Sequence, residues 1–232
     1  MAKILYINAH PSDVAYSKSQ QVGEIFLKDY LTANPQDEVT HVNLWELDAP
    51  DVDVVVYSAF GHLMSGGAFE DLSADQQKAL MKRQAVIDQF IAHDKYIFVA
   101  PMWEYSFPAV LKKYLDIICV ARQTFKYNDI GMQAGLLENK KAVFIQASGG
   151  NYTPEARKQF RQVVEAHADA AKLLPAFDSF GNFGEAIVRA NLMAMGVSDY
   201  NHIMIHSQSM PNFAASVLQA TTEQAKQLAA TW

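Results

Sequence analysis

Three short runs, Ile4-Leu5-Tyr6-Ile7, Tyr96-Ile97-Phe98-Val99 and Ala142-Val143-Phe144-Ile145, are apolar at every position. A strand with one wet face alternates apolar and polar residues, so a run without alternation has to be covered on both sides. Helix-like periodicity separates the runs, and strand alternating with helix implies a parallel, doubly wound α/β sheet. At 232 residues the chain lies close to the usual size of one domain, about 100–200 residues, and residues 1–232 are read as one.

The first run, Lys3 to Ala9, leads through His10-Pro11-Ser12-Asp13 into a helix from about Ser17 to Ala33. Asn34-Pro35 breaks the chain before a second strand, Glu38 to Leu44. Trp45 to Leu72 stays open, because Val52 and Val54 to Val56 favour a strand while Asp51 and Asp53 can start a helix. Ser73-Ala74-Asp75-Gln76 has the form of a capping box and opens a helix to His93. The strand Lys95 to Ala100 ends at Pro101, and a helix from Pro108 to Val120 carries Val110, Leu111, Tyr114, Leu115 and Ile118 on one face. After the strand Ala142 to Gln146 and a turn at Ser148-Gly149-Gly150-Asn151, Thr153-Pro154 opens a helix to about Lys172. A helix from Ala186 to Met195, a fifth strand from His202 to Ile205 and a closing helix from Ala214 to Ala230 complete the chain.

Nineteen Lys and Arg against 25 Asp and Glu give a formal charge of −6, with no basic cluster, so neither nucleic acid nor an anionic lipid surface is an expected partner. Cys119 is the one cysteine, which excludes an intrachain disulfide and a CxxC motif, suits a reducing cytoplasm, and is read as a core thiol. Lys3 runs directly into a strand without a signal-peptide layout, and no segment reaches the roughly 18 apolar residues of a membrane helix. No metal is expected, since the seven His residues form no HExxH pair and the acidic residues no metal-spaced cluster. GxGxxG, GxxxxGK[ST] and GxSxG are all missing, which argues against a dinucleotide pyrophosphate loop, a triphosphate cradle and a hydrolase nucleophile elbow.

Ligands of such sheets bind at the carboxyl ends of the strands, which focuses attention on three loops. His10 to Ser19 brings the hydroxyls of Ser12, Ser17 and Ser19 to a helix N-terminus, a place suited to one phosphate. Ser17 also suits a plain N-cap. Pro101 to Phe107 holds Trp103, Tyr105 and Phe107, which suit either a planar ligand or an aromatic plug. Ser148-Gly149-Gly150 allows close backbone approach or serves only as a turn.

Read in order, Tyr16-Ser17-Lys18-Ser19, Ala100-Pro101-Met102-Trp103-Glu104-Tyr105, Thr124-Phe125-Lys126-Tyr127 and Ala147-Ser148-Gly149-Gly150 resemble the FMN-dependent NADH-azoreductases, members of the flavodoxin-like NAD(P)H:quinone reductases. The resemblance spans most of the chain. It implies a flavodoxin-like three-layer sandwich with a five-stranded parallel sheet of order 2-1-3-4-5, and a homodimer, an expectation that also rests on the apolar helix Pro108 to Val120, with an FMN site at each side of the subunit interface. It also implies a helix over Asp51 to Leu63. By the same resemblance His10, Ser17, Lys18 and Ser19 hold the FMN phosphate, Lys18 through its backbone. Met102, Trp103, Glu104 and Tyr105 run along the isoalloxazine ring, and Ala147, Ser148, Gly149 and Gly150 lie at its pyrimidine edge. Tyr152 is a candidate hydrogen-bond partner of that edge, and Tyr127 an aromatic given to the partner's substrate pocket.

The activity so implied is ping-pong transfer from NADH through FMN to quinones or azo compounds, small planar aromatic acceptors, with azo cleavage taking two cycles. Hydride chemistry rests on the flavin, so no side-chain acid or base is required. Two other classes compete: a flavodoxin-type electron carrier that does not turn over NADH, and an acyl-carrier-protein phosphodiesterase-type hydrolase. Two features depart from the family pattern. Glu104 stands where Asn is usual, and Tyr152 to Phe183 is long enough for an extra helix over the pocket.

Overall fold

The computed structural model describes residues 1–232. Five parallel strands, β1 (Lys3–Asn8), β2 (Glu38–Asn43), β3 (Lys95–Pro101), β6 (Lys141–Ala147) and β7 (Asp199–Ile205), form one sheet in the order β2-β1-β3-β6-β7. Counting those strands alone, this is the expected order 2-1-3-4-5. A separate antiparallel hairpin joins β4 (Phe125–Tyr127) and β5 (Gln133–Gly135), which the sequence reading does not anticipate.

The pleat sorts the apolar runs between two cores, because successive side chains point to opposite faces. Leu5, Ile7, Tyr96, Phe98, Ala142 and Phe144 face α3 (Ala74–Ile91), α4 (Ala109–Ile118) and α7 (Gly184–Met195). Ile4, Tyr6, Ile97, Val99, Val143 and Ile145 face α1 (Lys18–Ala33) and α8 (Pro211–Ala229). Sheet between two helix layers is the three-layer sandwich the resemblance implies. The apolar stripe of α4 is spent in the first core, where Leu111, Tyr114, Leu115, Ile117 and Ile118 are buried. It therefore cannot serve as a subunit interface.

The open segment resolves as a helix, α2 (Val54–Met64). Asp53 caps it, its carboxylate accepting from the Val56 N–H at 2.9 Å, and burial of Val56 and Ala59 outweighs the strand preference of the valines. Ser73 and Gln76 form the expected reciprocal capping box at the start of α3. The single helix expected from Thr153 to Lys172 is corrected: it divides into α5 (Pro154–Glu165) and α6 (Ala170–Ser179). At the break the Asp169 N–H donates to His167 Nδ1 at 3.1 Å, a local side-chain bond that takes the place of a helical one. Arg161 then ties the pair by bonding both Glu165 and Asp178.

Candidate cofactor site

The carboxyl ends of β1, β3 and β6 bring the three loops to one edge of the sheet. After β1, Ser17 caps α1, its Oγ accepting from the Gln20 N–H at 3.2 Å and lying 3.1 Å from Ser19 Oγ. Both hydroxyls are buried, each at 1% exposure, beside the first-turn N–H groups that no helical carbonyl can reach. His10 Nδ1 accepts from the Ser12 N–H at 3.1 Å, which leaves Nε2 as the protonated donor of a neutral ring. Burial pushes the His10 pKa down. Lys18 is exposed and its Nζ reaches Gln21 at 3.2 Å, so only its backbone faces this N-terminus. Gln20, which the sequence reading passes over, secures the loop by donating from Nε2 to the Ser12 carbonyl at 2.7 Å.

The loop after β3 makes a tight turn, with the Ser106 N–H donating to the Trp103 carbonyl at 2.9 Å. Its central residues Glu104 and Tyr105 have φ of 44° and 63°. Left-handed backbone at both positions is a demanding geometry for side-chain-bearing residues other than Asn and Asp. The Asn that the family resemblance leads one to expect at position 104 would suit it, and Glu104 occupies it under strain while its side chain reaches solvent. Trp103 projects from the turn, 44% exposed, with Trp45 at 5.9 Å between ring centroids. Trp45 is anchored by its indole N–H on the Ala9 carbonyl at 3.0 Å. Nothing in its local sequence marks that role.

The strain is held from behind. Gln146, buried in β6, donates from Nε2 to the Ser106 carbonyl at 2.7 Å and accepts at Oε1 from Asn182 at 2.8 Å. Asn182 in turn accepts from the Gly184 N–H at 3.1 Å, and the Phe183 N–H donates to the Tyr105 carbonyl at 2.8 Å. A Cβ on Gly184 would lie 2.9 Å from Gln146 Nε2, so the close approach needs glycine. The one signal for this network in the sequence is a lone amide ending an apolar strand.

Met102 is fixed to β6 by its N–H on the Ala147 carbonyl at 2.7 Å. Beyond β6, the carbonyls of Ser148, Gly149 and Gly150 accept from the N–H groups of Gln208, Ser209 and Ser207 at 3.0, 3.1 and 3.0 Å. Pinned this way, the loop leaves the Gly149 and Gly150 N–H groups without an acceptor in the chain. A Cβ on Gly149 would come within 2.6 Å of Ser209 Oγ. Tyr152 stands edge-on to Tyr105 at 6.2 Å, and Tyr105 stacks on Phe180 at 5.2 Å and 9°. Burial, and then the nearby Tyr105 hydroxyl, raise the Tyr152 pKa, which keeps the phenol protonated as a donor.

Tyr127 is not brought to these loops. It stands 62% exposed on the β4–β5 hairpin, edge-on to Phe125. Cys119 caps the end of α4 half-buried against the first core, and burial raises its pKa, as befits an unreactive thiol. No group of His, Cys, Asp and Glu is arranged to hold a metal, and no helix is long and apolar enough to cross a membrane.

The donor set fits an FMN. Two buried hydroxyls and free helix N–H groups suit a phosphate, orphaned loop N–H groups suit the carbonyl-bearing edge of a flavin, and Trp103 and Tyr105 suit its ring plane. Comparison with known proteins agrees. The family model for the flavodoxin-like fold matches residues 2–229. An FMN-dependent NADH:quinone oxidoreductase of Bacillus pumilus is 47% identical over 153 residues, 66% of this chain and 72% of that protein. An FMN-dependent NADH:quinone oxidoreductase 2 of Bacillus licheniformis is 36% identical over 233 residues, covering 100% of both chains. The crystal structure of an azoreductase from Bacillus anthracis superposes with a TM-score of 0.81 at 26% identity over 100% of both chains. That of a Bacillus anthracis FMN-dependent NADH-azoreductase in complex with FMN gives 0.77 at 27% identity, over 99% of this chain and 100% of that one. The chain therefore belongs to the flavodoxin-like family of FMN-dependent NADH:quinone oxidoreductases.

Proposed function

We propose that this chain is an FMN-dependent NADH oxidoreductase that reduces quinones and azo compounds by a ping-pong route. The observation that carries the reading is the convergence, on one sheet edge, of the buried Ser17–Ser19 hydroxyl pair with the unpaired N–H groups of Gly149 and Gly150. FMN, when bound, supplies the two-electron chemistry between NADH and the acceptor. Ser17, Ser19, the His10 Nε2–H and the Lys18 backbone hold its phosphate. Met102 to Tyr105 lie along the ring, and Ala147 to Gly150 direct donors to its pyrimidine edge, where negative charge develops on reduction. Tyr152 adds a protonated hydroxyl there, and the exposed indole of Trp103 helps shape a flat slot for a planar aromatic acceptor.

The functional unit in this reading is a homodimer of single-domain subunits acting in the cytoplasm. Val54, Tyr57 and Met64 on α2 and Tyr127, Ile130 and Met132 on the hairpin are each more than 60% exposed. An apolar surface of that kind favours burial against a second copy, and such an interface carries Tyr127 into the partner's pocket. The cytoplasmic placement rests on the lone cysteine and on NADH as donor.

The test is an anaerobic visible spectrum of the FMN-loaded protein before and after NADH. Loss of the oxidised-flavin band on mixing, and its return on adding a quinone, is the expected result. A bound flavin that NADH leaves oxidised would instead indicate an electron carrier or an enzyme that takes NADPH, and failure to bind FMN would overturn the reading from the phosphate loop upward.

A further inference from the structure

Behind the Gly149–Tyr152 loop, on the side facing β7, lies a cavity of about 850 Å³. It falls within the roughly 300–1,000 Å³ range of small-molecule sites. Phe160 and Val163 of α5, Phe180 after α6 and Phe213 of α8 line it and remain 59%, 62%, 41% and 55% exposed. Aromatic side chains left this open around a concavity gain by covering a flat apolar ligand. No Asp, Glu or Lys lines the cavity, and its single charged group is Arg157.

Arg157 pairs with no carboxylate. Its guanidinium lies over the Phe177 ring, 4.9 Å from the centroid, and donates to the Phe177 and Phe180 carbonyls. Two of its five N–H donors are thereby used and the charge is left uncompensated. The neighbouring His206 adds no charge of its own at neutral pH: its Nδ1 lies 2.9 Å from Ser207 Oγ, and burial lowers its pKa. In a chain of net charge −6, this is a local positive centre inside an aromatic pocket.

We infer that the α5–α6–α8 cavity is a binding site for a planar aromatic monoanion, a carboxylate or sulfonate whose ring lies among Phe160, Phe180 and Phe213 and whose charge meets Arg157. This site adjoins the loop that carries the flavin's pyrimidine edge, and it does not depend on the activity proposed above. Gly149, Gly150, Asn151 and Tyr152 form the shared wall, while Arg157 and the phenylalanines lie beyond it.

Calorimetric titration of the FMN-loaded protein with 8-anilinonaphthalene-1-sulfonate tests the assignment, with the flavin band recorded in parallel. One molecule bound per chain is expected, without a shift of the flavin band, and with the same affinity in the apoprotein. The uncharged N-phenyl-1-naphthylamine should bind about tenfold more weakly, one charge-assisted contact being worth about that factor. Replacing both Phe160 and Phe213 by Ala, which removes two of the three rings that cover the ligand, should weaken binding by more than about tenfold. Arg157→Gln should remove the preference for the anion while Arg157→Lys keeps it, which separates lost charge from a loosened α6. Equal binding of the two probes by the wild type would overturn the inference. So would binding left unchanged by the Phe160 and Phe213 double replacement, or binding that shifts the flavin band and so places the probe on the ring. Because the apoprotein is also titrated, failure to hold FMN would leave this result standing.

Discussion

A buried hydroxyl pair at a helix N-terminus is a narrow arrangement: Ser17 and Ser19 have few partners but each other and whatever anion meets α1. Replacing both by Ala should weaken FMN binding by at least about tenfold, since hydrogen bonds to charged groups contribute about 1.5–3 kcal/mol each. Equilibrium titration of the apoprotein with FMN measures this, and an unchanged Kd would refute the phosphate-loop assignment. At Glu104 the backbone sets the expectation. A left-handed residue other than Gly or Asn costs about 1 kcal/mol, so Glu104→Asn should raise Tm by roughly 2–4 °C, and Glu104→Ala should give no such gain. His10 and His206 both have pKa values lowered by burial, so each binds a proton more readily in the unfolded chain than in the folded one. Their contribution is therefore present above the unfolded value of about 6.5 and is lost as pH falls from there through the lowered folded values. Tm of the apoprotein should fall between pH 7.5 and 5.5, and His10→Asn should flatten that slope. An equally steep slope in the variant would exclude His10 as a source.

At the level of elements, the turn after β3 keeps its left-handed form because β6 and the start of α7 hold it through Gln146, Asn182 and the Phe183 N–H. Gln146→Leu removes the donor to the Ser106 carbonyl and the acceptor for Asn182 in a buried place, where each unmatched group costs about 1–3 kcal/mol. The expected outcome is a protein destabilised by about 2 kcal/mol or more in urea whose FMN affinity also drops, because the ring-side loop relaxes. Lower stability with FMN affinity intact would make Gln146 a core residue only. Most elements are legible from local pattern: the Ser73–Gln76 capping box and the uniform strand runs each carry their own signal. The split between α5 and α6 is not, because no Gly or Pro marks residues 166–169 and the break rests on a His167 side-chain bond. The β4–β5 hairpin is equally silent, its two strands of three residues being too short for periodicity to register.

For the whole molecule, the proposed dimer raises the question of which apolar surface would meet a second copy. The α4 stripe that suggested itself from periodicity is buried in the chain's own core, whereas α2 and the hairpin present Tyr57, Met64, Ile130 and Met132 to solvent. Sedimentation should give twice the chain mass, and Tyr57→Lys combined with Met64→Lys should shift it to the monomer with a large loss of acceptor reduction. A wild-type monomer with full activity would defeat the shared-site reading. What the sequence alone determined is the alternation of strands and helices, the sheet's burial on both faces, and the three loops that bear the site. Those follow from local physics: side-chain periodicity, N-caps, and turn residues near each other along the chain. Tertiary structure decided that Gln146 and Trp45 support the ring-side turn and that the long segment after Tyr152 becomes two helices around a cavity, and it settled Val54–Met64 as the helix that residue patterns left open and the family resemblance already implied. For Gln146, for Trp45 and for the burial of Val56 and Ala59 the energy that chooses comes from partners far away in sequence, through buried hydrogen bonds and packing that no local window contains, whereas the break between α5 and α6 rests on a local His167 bond that leaves no residue pattern.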